Sequence, residues 1–118
     1  MNNQEFFNNV ATHLLKQNRQ AKHRDGTCAY RGLDNTACAI GSQIPDNIYK
    51  GSMEGMGVER LLICHREVAF LFDGVDLFLM ADLQSLHDSN KPHSWRDGLA
   101  NIAKTFKLNT DVLNAQTA

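Results

Sequence analysis

Apolar residues at both ends of the chain recur with the period of an α-helix, and this spacing limits the range of folds most strongly. Near the start, Phe6, Val10 and Leu14 follow one another at intervals of four residues. Near the end, Trp95 and Leu99 have the same spacing, and the series continues beyond them. Because residues three or four apart share one face of a helix, each series predicts an amphipathic helix with one buried stripe. The two stripes predict a core built between helices.

Two further helices are predicted in the last third of the chain. Apolar residues recur at helical spacing over 75–86 and, in a shorter run, over 68–72. Ser94 is followed three residues later by Asp97, the spacing of a capping box. We therefore expect the last helix to begin directly after Ser94.

Residues 27–41 differ from the rest, because their pattern is that of a β-hairpin. Their centre, 32–36, holds a glycine, an aspartate and an asparagine, which favour turns for separate physical reasons. The segments on either side are short and bounded by turn residues, as in paired strands. In this hairpin we expect Cys28 to lie opposite Cys38 on the buried face.

Together these patterns predict an α+β fold: a mainly helical single domain of about four helices with a short β-hairpin near its N-terminus. A length of 118 residues suits one domain, which we place at residues 1–108. The polar residues 109–118 are expected to form a loose C-terminal tail, although Val112 and Leu113 offer it apolar contacts.

The overall charge gives little attraction to nucleic acids or membranes. Twelve basic and thirteen acidic residues leave a formal net charge of −1 at pH 7. The first residues lack the parts of a signal peptide, and the longest apolar region, 68–81, is interrupted by two aspartates and a glycine. We therefore expect a cytoplasmic protein that does not enter a membrane, with Cys28, Cys38 and Cys64 as reduced thiols.

Cys28, His87 and Asp88 are the candidate catalytic residues. A thiol nucleophile needs a histidine to activate it and a further group to orient that histidine. No signature of a known cysteine enzyme surrounds Cys28, and no two cysteines have the close spacing typical of zinc ligands. We expect no metal and no other cofactor. A small cysteine/histidine-dependent hydrolase or transferase remains the alternative function.

A binding surface is predicted where the hairpin turn meets the glycine-rich loop at 51–57. An arginine beside the turn can present its planar donor fork to an acidic group, and loop methionines adapt to irregular partners. Tyrosines add contacts that are partly apolar and partly polar. The candidate binding residues are Arg31, Tyr49, Met53, Glu54 and Met56.

The sequence suggests two other interaction surfaces. The segment from Lys16 to Arg24 holds five basic side chains, with His23 counted, and no acid. It could act as a nucleic-acid-binding module, although the overall charge argues against that partner. An exposed face at Leu77, Phe78 and Met80 would support a homodimer; the same residues could instead close the core.

One extended pattern in the chain resembles small uncharacterised proteins of tailed phages and prophages. Its elements are CAYRG at 28–32, CAIG at 38–41, Ile44-Pro45, Tyr49, MEG at 53–55, Val58, Leu83-Gln84, His87-Asp88 and Trp95. The resemblance runs from the first helix to about Leu108. The stretch 63–73, ICHREVAFLFD, departs from it by being longer and more apolar.

The resemblance implies an origin in a bacteriophage or other mobile element, and the cytoplasm of an infected bacterium as the setting. Because those proteins are uncharacterised, the resemblance assigns no particular activity to this chain. We therefore expect a phage accessory protein that acts by binding a host macromolecule, such as a defence or regulatory complex.

Overall fold

A computed structural model describes residues 1–115 of the chain, and the regular structure in this range is helical. Six α-helices follow one another: α1, Asn3–Gln17; α2, Val58–Cys64; α3, Arg66–Leu71; α4, Leu77–Ser89; α5, Trp95–Thr105; and α6, Asp111–Ala115. Short 3-10 turns lie at Leu33–Asn35, Gly41–Gln43, Gly51–Met53 and Pro92–Ser94. Crossing a bilayer takes a longer and more apolar helix than any formed by residues 1–115.

Helix α1 forms as its apolar spacing predicts. Asn2 caps it, because the Asn2 side chain accepts the Glu5 N–H at 2.9 Å. The predicted stripe at Phe6, Val10 and Leu14 is fully buried. The helix ends where Asn18 takes a left-handed conformation with φ of 52°, which asparagine tolerates better than most residues.

Helices α1, α4 and α5 contact one another and form the centre of the core. Trp95, at the start of α5, is fully buried. Its indole N–H donates to the Asn90 carbonyl at 3.0 Å, and its ring stacks on His87 with centroids 5.6 Å apart. The capping box predicted at Ser94 is absent, because Ser94 ends the preceding 3-10 turn and its side chain makes no capping hydrogen bond.

The predicted β-hairpin is wrong, and with it the α+β class. Within the described range there is no strand; only isolated antiparallel bridges join Lys22 to Cys28 and Arg31 to Ala37. Because Cys28 pairs with Lys22, it does not lie opposite Cys38 as predicted. The domain belongs to the helical class.

Side chains explain why residues 27–41 do not form a ladder. The Glu54 carboxylate accepts the N–H groups of Tyr30 and Arg31 at 2.9 and 3.0 Å, and the Gln84 side-chain oxygen accepts that of Ile40 at 3.1 Å. These are backbone donors that paired strands would share with each other. The side chains of surrounding elements thus hold this segment as an irregular loop.

Helix α6 occupies part of the segment predicted to be a loose tail. It contacts α1, and Leu113 belongs to the hydrophobic core. The Arg96 guanidinium donates to the Leu113 carbonyl. The Asn109 N–H donates to the Gln4 side chain at 2.9 Å. The packed structure therefore continues past Leu108, while residues 116–118 of the predicted tail lie outside the described residues.

Candidate functional site

The residues predicted to form a binding surface do come together, beside the loop that follows α1. We call Arg31, Tyr49, Met53, Glu54 and Met56 the loop cluster. Met53 is fully buried and Met56 is half-buried, so the thioethers predicted to meet a partner instead face the protein. The loop cluster is a contact between two loops, 28–46 and 49–56.

Glu54 uses both carboxylate oxygens inside the protein. Besides accepting the backbone N–H groups of Tyr30 and Arg31, it accepts the Tyr49 hydroxyl at 2.5 Å and lies 3.2 Å from Nε2 of His23. Burial, together with the neighbouring carboxylate, raises the pKa of Tyr49 to about 12. The Tyr49 hydroxyl therefore stays protonated at neutral pH and donates a hydrogen bond to Glu54.

Arg31 is equally occupied, because each of its three guanidinium nitrogens makes a hydrogen bond. Nε donates to the Gly41 carbonyl at 3.2 Å, one terminal nitrogen to the Ile44 carbonyl at 2.5 Å, and the other to Asp46 at 2.7 Å. The guanidinium also lies 4.9 Å from the centre of the Tyr49 ring. The fork predicted to reach an acidic partner is thus used to hold the loop.

The three candidate catalytic residues also come together, at the C-terminal end of α4. The Cys28 sulfur, a His87 ring nitrogen and an Asp88 carboxylate oxygen lie within 4.8 Å of one another. The Cys28 thiol donates to the Asp88 carbonyl at 3.8 Å. We call this group the thiol site.

Hydrogen bonds fix the tautomer of His87, and this tautomer does not activate Cys28. The Ala21 N–H donates to His87 Nε2 at 2.9 Å, so Nε2 carries the lone pair. The ring hydrogen is therefore on Nδ1, which donates to Asp88 Oδ1 at 2.7 Å. Both nitrogens of this fully buried ring are occupied, and no lone pair is left to accept the thiol proton or bind a metal ion.

The Cys28 thiol is also in an environment that disfavours the thiolate. Burial and the negative charge of Asp88 raise the pKa of Cys28, with Lys22 opposing them more weakly. A cysteine nucleophile needs the opposite shift, because the thiolate is the reactive form. The residues of the predicted catalytic group are therefore close together but poorly arranged for catalysis.

An apolar groove lies between α2 and α4. Its volume is about 680 Å³, and its apolar lining comes from Val58, Ile63, Leu77, Phe78 and Ala81. Ile63 is 73% exposed and Phe78 is 72% exposed, far above the values typical of large apolar side chains. A smaller cleft of about 230 Å³, which contains Cys28, adjoins the groove and shares Val58 with it.

The helical period of α4 explains why Phe78 is left outside the core. The buried stripe of α4 runs through Leu79, Leu83 and Leu86, while Phe78 stands about 100° away from Leu79 around the helix axis. Asp76 fixes where the helix begins by accepting the Phe78 N–H at 2.8 Å. Of the face predicted at 77–80, Met80 closes the core, whereas Phe78 is exposed.

The basic segment from Lys16 to Arg24 is on the surface, but part of it is used in packing. Gln20 donates to the His87 carbonyl at 2.8 Å, which joins the segment to the end of α4. Arg19 forms an ion pair with Asp34 at 3.1 Å; both side chains are more than half exposed, so the pair adds little stability.

Sequence reasoning missed Ile63 as a site residue. The available signal was its position in the sequence of α2, where Val58 and Leu61 form the buried stripe and Ile63 lies off it. An apolar residue that lies off the buried stripe of an amphipathic helix does not face the core of the protein. From the sequence, Phe78 is assigned either to a homodimer face or to the core.

Comparison with protein-family models, with curated proteins and with solved structures finds no match for this chain. A function is therefore inferred from the geometry of the loop cluster, the thiol site and the groove. Among these three places in the described structure, the groove is the one whose walls carry large apolar side chains that are mostly exposed, those of Ile63 and Phe78.

Proposed function

We propose that the protein is a small phage-type accessory protein that binds a host protein through the α2–α4 groove. The observation that carries the proposal is the exposure of Ile63 and Phe78 on the walls of a concave, mostly apolar site. Large exposed apolar patches on small proteins commonly mark interaction surfaces. The similarity to small tailed-phage proteins supports a host macromolecule as the partner.

Binding would bury side chains that the folded chain leaves in water. Complete burial of a Phe or Ile side chain stabilises by about 1.5 to 3 kcal/mol each, before the entropy of association is subtracted. Aromatic side chains that enter a partner's pocket are frequent hot spots of protein interfaces. Phe78 has this role in the proposal, and Ile63 supports it from the opposite wall.

The alternative locations are less suitable. In the loop cluster, Arg31 and Glu54 would have to give up hydrogen bonds within the protein before they could bind a partner. The thiol site favours a protonated thiol and an occupied imidazole, which argues against the hydrolase or transferase. The groove can accept an apolar side chain against Ile63 and Phe78, whose side chains take part in no hydrogen bond.

A pull-down with a matched pair of phenylalanine variants tests the proposal. Tagged wild-type protein, Phe78→Ala and Phe70→Ala are incubated with nuclease-treated lysate of a bacterial host, and bound proteins are identified by mass spectrometry. Phe70 is a suitable control because it is 85% exposed but does not line the groove. We expect a stoichiometric host protein that Phe70→Ala retains and Phe78→Ala loses.

Two results would contradict the proposal. A partner retained by Phe78→Ala would bind elsewhere on the molecule, and an empty eluate from folded wild-type protein would remove the basis for a host protein partner. Circular dichroism of all three proteins confirms that they are folded. Nuclease treatment separates direct protein contacts from those bridged by nucleic acid.

A further inference from the structure

The segment that contains both walls of the groove differs in net charge from the rest of the chain. Residues 58–89, from α2 to α4, contain six carboxylates and two arginines, a net charge of −4. The rest of the chain has a net charge of +3, which gives the total of −1. All six carboxylates are on exposed residues: Glu59, Glu67, Asp73, Asp76, Asp82 and Asp88. Of these carboxylates, those of Glu59 and Asp88 line the groove itself, together with one guanidinium, that of Arg60.

We propose that the groove binds a basic amphipathic helix of the partner protein; this inference rests on the proposed function and specifies the chemistry of the partner. The apolar face of such a helix would contact Ile63 and Phe78, and its lysines or arginines would face the carboxylates around the groove. Charge complementarity of this kind raises the association rate and selects the partner.

The shape of the groove favours a helix as the bound element. Helix α4 has 13 residues, so at a rise of about 1.5 Å per residue it offers a wall about 20 Å long. The facing wall, α2, has seven residues and is about 10 Å long, so a partner helix that follows α4 would contact α2 along about two of its turns. Addition of a partner strand would need a sheet edge, and residues 1–115 form no sheet.

The same charges argue against a second copy of this chain as the occupant. In a twofold dimer the same patch meets itself, so the acidic surroundings of one groove would face those of the other. Like charges brought together across an interface oppose association. A helix of opposite charge avoids that repulsion and still covers Phe78.

Two synthetic peptides with the same apolar pattern test the inference. Each has about 14 residues, with leucines at helical positions i, i+3, i+4 and i+7. One peptide has lysines at its remaining positions and the other has glutamates. Fluorescein-labelled peptides are titrated with the full chain, and binding is followed by fluorescence anisotropy at about 50 and about 500 mM NaCl.

We expect the lysine peptide to bind at least about tenfold more tightly than the glutamate peptide at low salt, and the difference to shrink at high salt. Phe78→Ala should weaken binding by about 30-fold, the effect of a hot spot, and Phe70→Ala by less than about twofold. Glu59→Gln should weaken it by about two- to fivefold. Asp97→Asn is the matched control, because Asp97 is also an exposed acid in the first turn of a helix.

Four results would overturn the inference: equal binding of the two peptides, no effect of salt, an unchanged affinity in Phe78→Ala, or a Phe78-dependent dimer that the lysine peptide does not displace. The pull-down separates the two proposals. A host protein that depends on Phe78 but resists salt and the lysine peptide leaves the proposed function intact and rejects the basic helix. Peptide binding without a Phe78-dependent host protein rejects the host-protein function and retains the groove chemistry.

Discussion

The loop cluster and the α2–α4 groove use their side chains in opposite ways. In the loop cluster, charged and aromatic residues of the kind associated with binding have most of their polar atoms bonded within the protein. In the groove, Ile63 and Phe78 have no chemical functionality beyond their apolar surface, yet most of that surface is exposed to water. Side-chain chemistry alone therefore favours the loop cluster, whereas the exposure of apolar surface favours the groove.

The difference follows from what each region needs in order to fold. Residues 27–41 lack a ladder, so several of their backbone groups bond to side chains instead, and an unpaired buried donor or acceptor costs about 1 to 3 kcal/mol. Glu54 accepts the N–H groups of Tyr30 and Arg31, and the Arg31 guanidinium donates to the carbonyls of Gly41 and Ile44. Helix α4, with 13 residues, satisfies most of its backbone groups within the helix, so the side chain of Phe78 on its outer face is not needed for backbone hydrogen bonding.

The largest expected effect is a contrast in stability between the two regions. Met53→Ala should lower the free energy of unfolding by about 2 to 5 kcal/mol, because it leaves a cavity under the loop cluster. Phe78→Ala should change it by no more than about 0.5 kcal/mol, because the ring is 72% exposed. Urea denaturation followed by circular dichroism measures both. Equal destabilisation by the two variants would show that the groove wall is part of the core.

A smaller effect is expected when the geometry of the Arg31 side chain is changed and its charge is kept. Arg31→Lys should cost about 1 to 2 kcal/mol, since one ammonium group cannot bond Gly41, Ile44 and Asp46 at once. Arg19→Lys is the matched control, because the pair of Arg19 with Asp34 is largely in water. We expect that control to change stability by less than about 0.5 kcal/mol in the same urea titration. An Arg31→Lys protein as stable as the control would mean that the loop cluster is a free surface after all.

Helices α1, α3, α4 and α5 could be predicted from sequence because their information is local. In α1, the spacing of the apolar residues and the capping Asn2 lie within a few residues of each other. The hairpin prediction failed because the competing interactions come from distant residues: Gln84 is 44 positions from Ile40. Turn residues indicated a reversal of the chain, but could not show which groups would take its backbone hydrogen bonds.

The sequence predicted which residues of a candidate site lie close together, but it did not predict their hydrogen bonds or their exposure. Sequence reasoning brought Cys28 together with His87 and Asp88, and these residues are neighbours in space. It could not show that the backbone N–H of Ala21, a residue with no functional side chain, would donate to Nε2 of His87. Exposure was the other missing quantity, because a phenylalanine in a helix sequence does not reveal whether it faces the core.

The smallest effect on the fold is expected at Cys28, which lies between the two regions in the cleft beside the groove. Because burial raises its thiol pKa above the ordinary value of 9.0, less thiolate is present at neutral pH than in a free cysteine. Iodoacetamide should therefore modify Cys28 at least about tenfold more slowly than the exposed Cys64. The rate at Cys28 should still be rising with pH above 9.0. Buried Cys38 should be modified only as the protein unfolds.

Peptide mass mapping of the modified protein assigns each rate to its cysteine, and Cys28→Ser provides the control, with a stability expected within about 0.5 kcal/mol of the wild type. If Cys28 is modified faster than Cys64 at neutral pH, its thiolate is stabilised and the hydrogen bonds assigned to His87 are wrong. That result would make the cleft, and not the groove beside it, the leading candidate site, because an activated thiol next to an apolar groove is suited to substrate chemistry. Slow modification instead leaves the thiol site with the loop cluster, as a place where reactive residue types serve the fold.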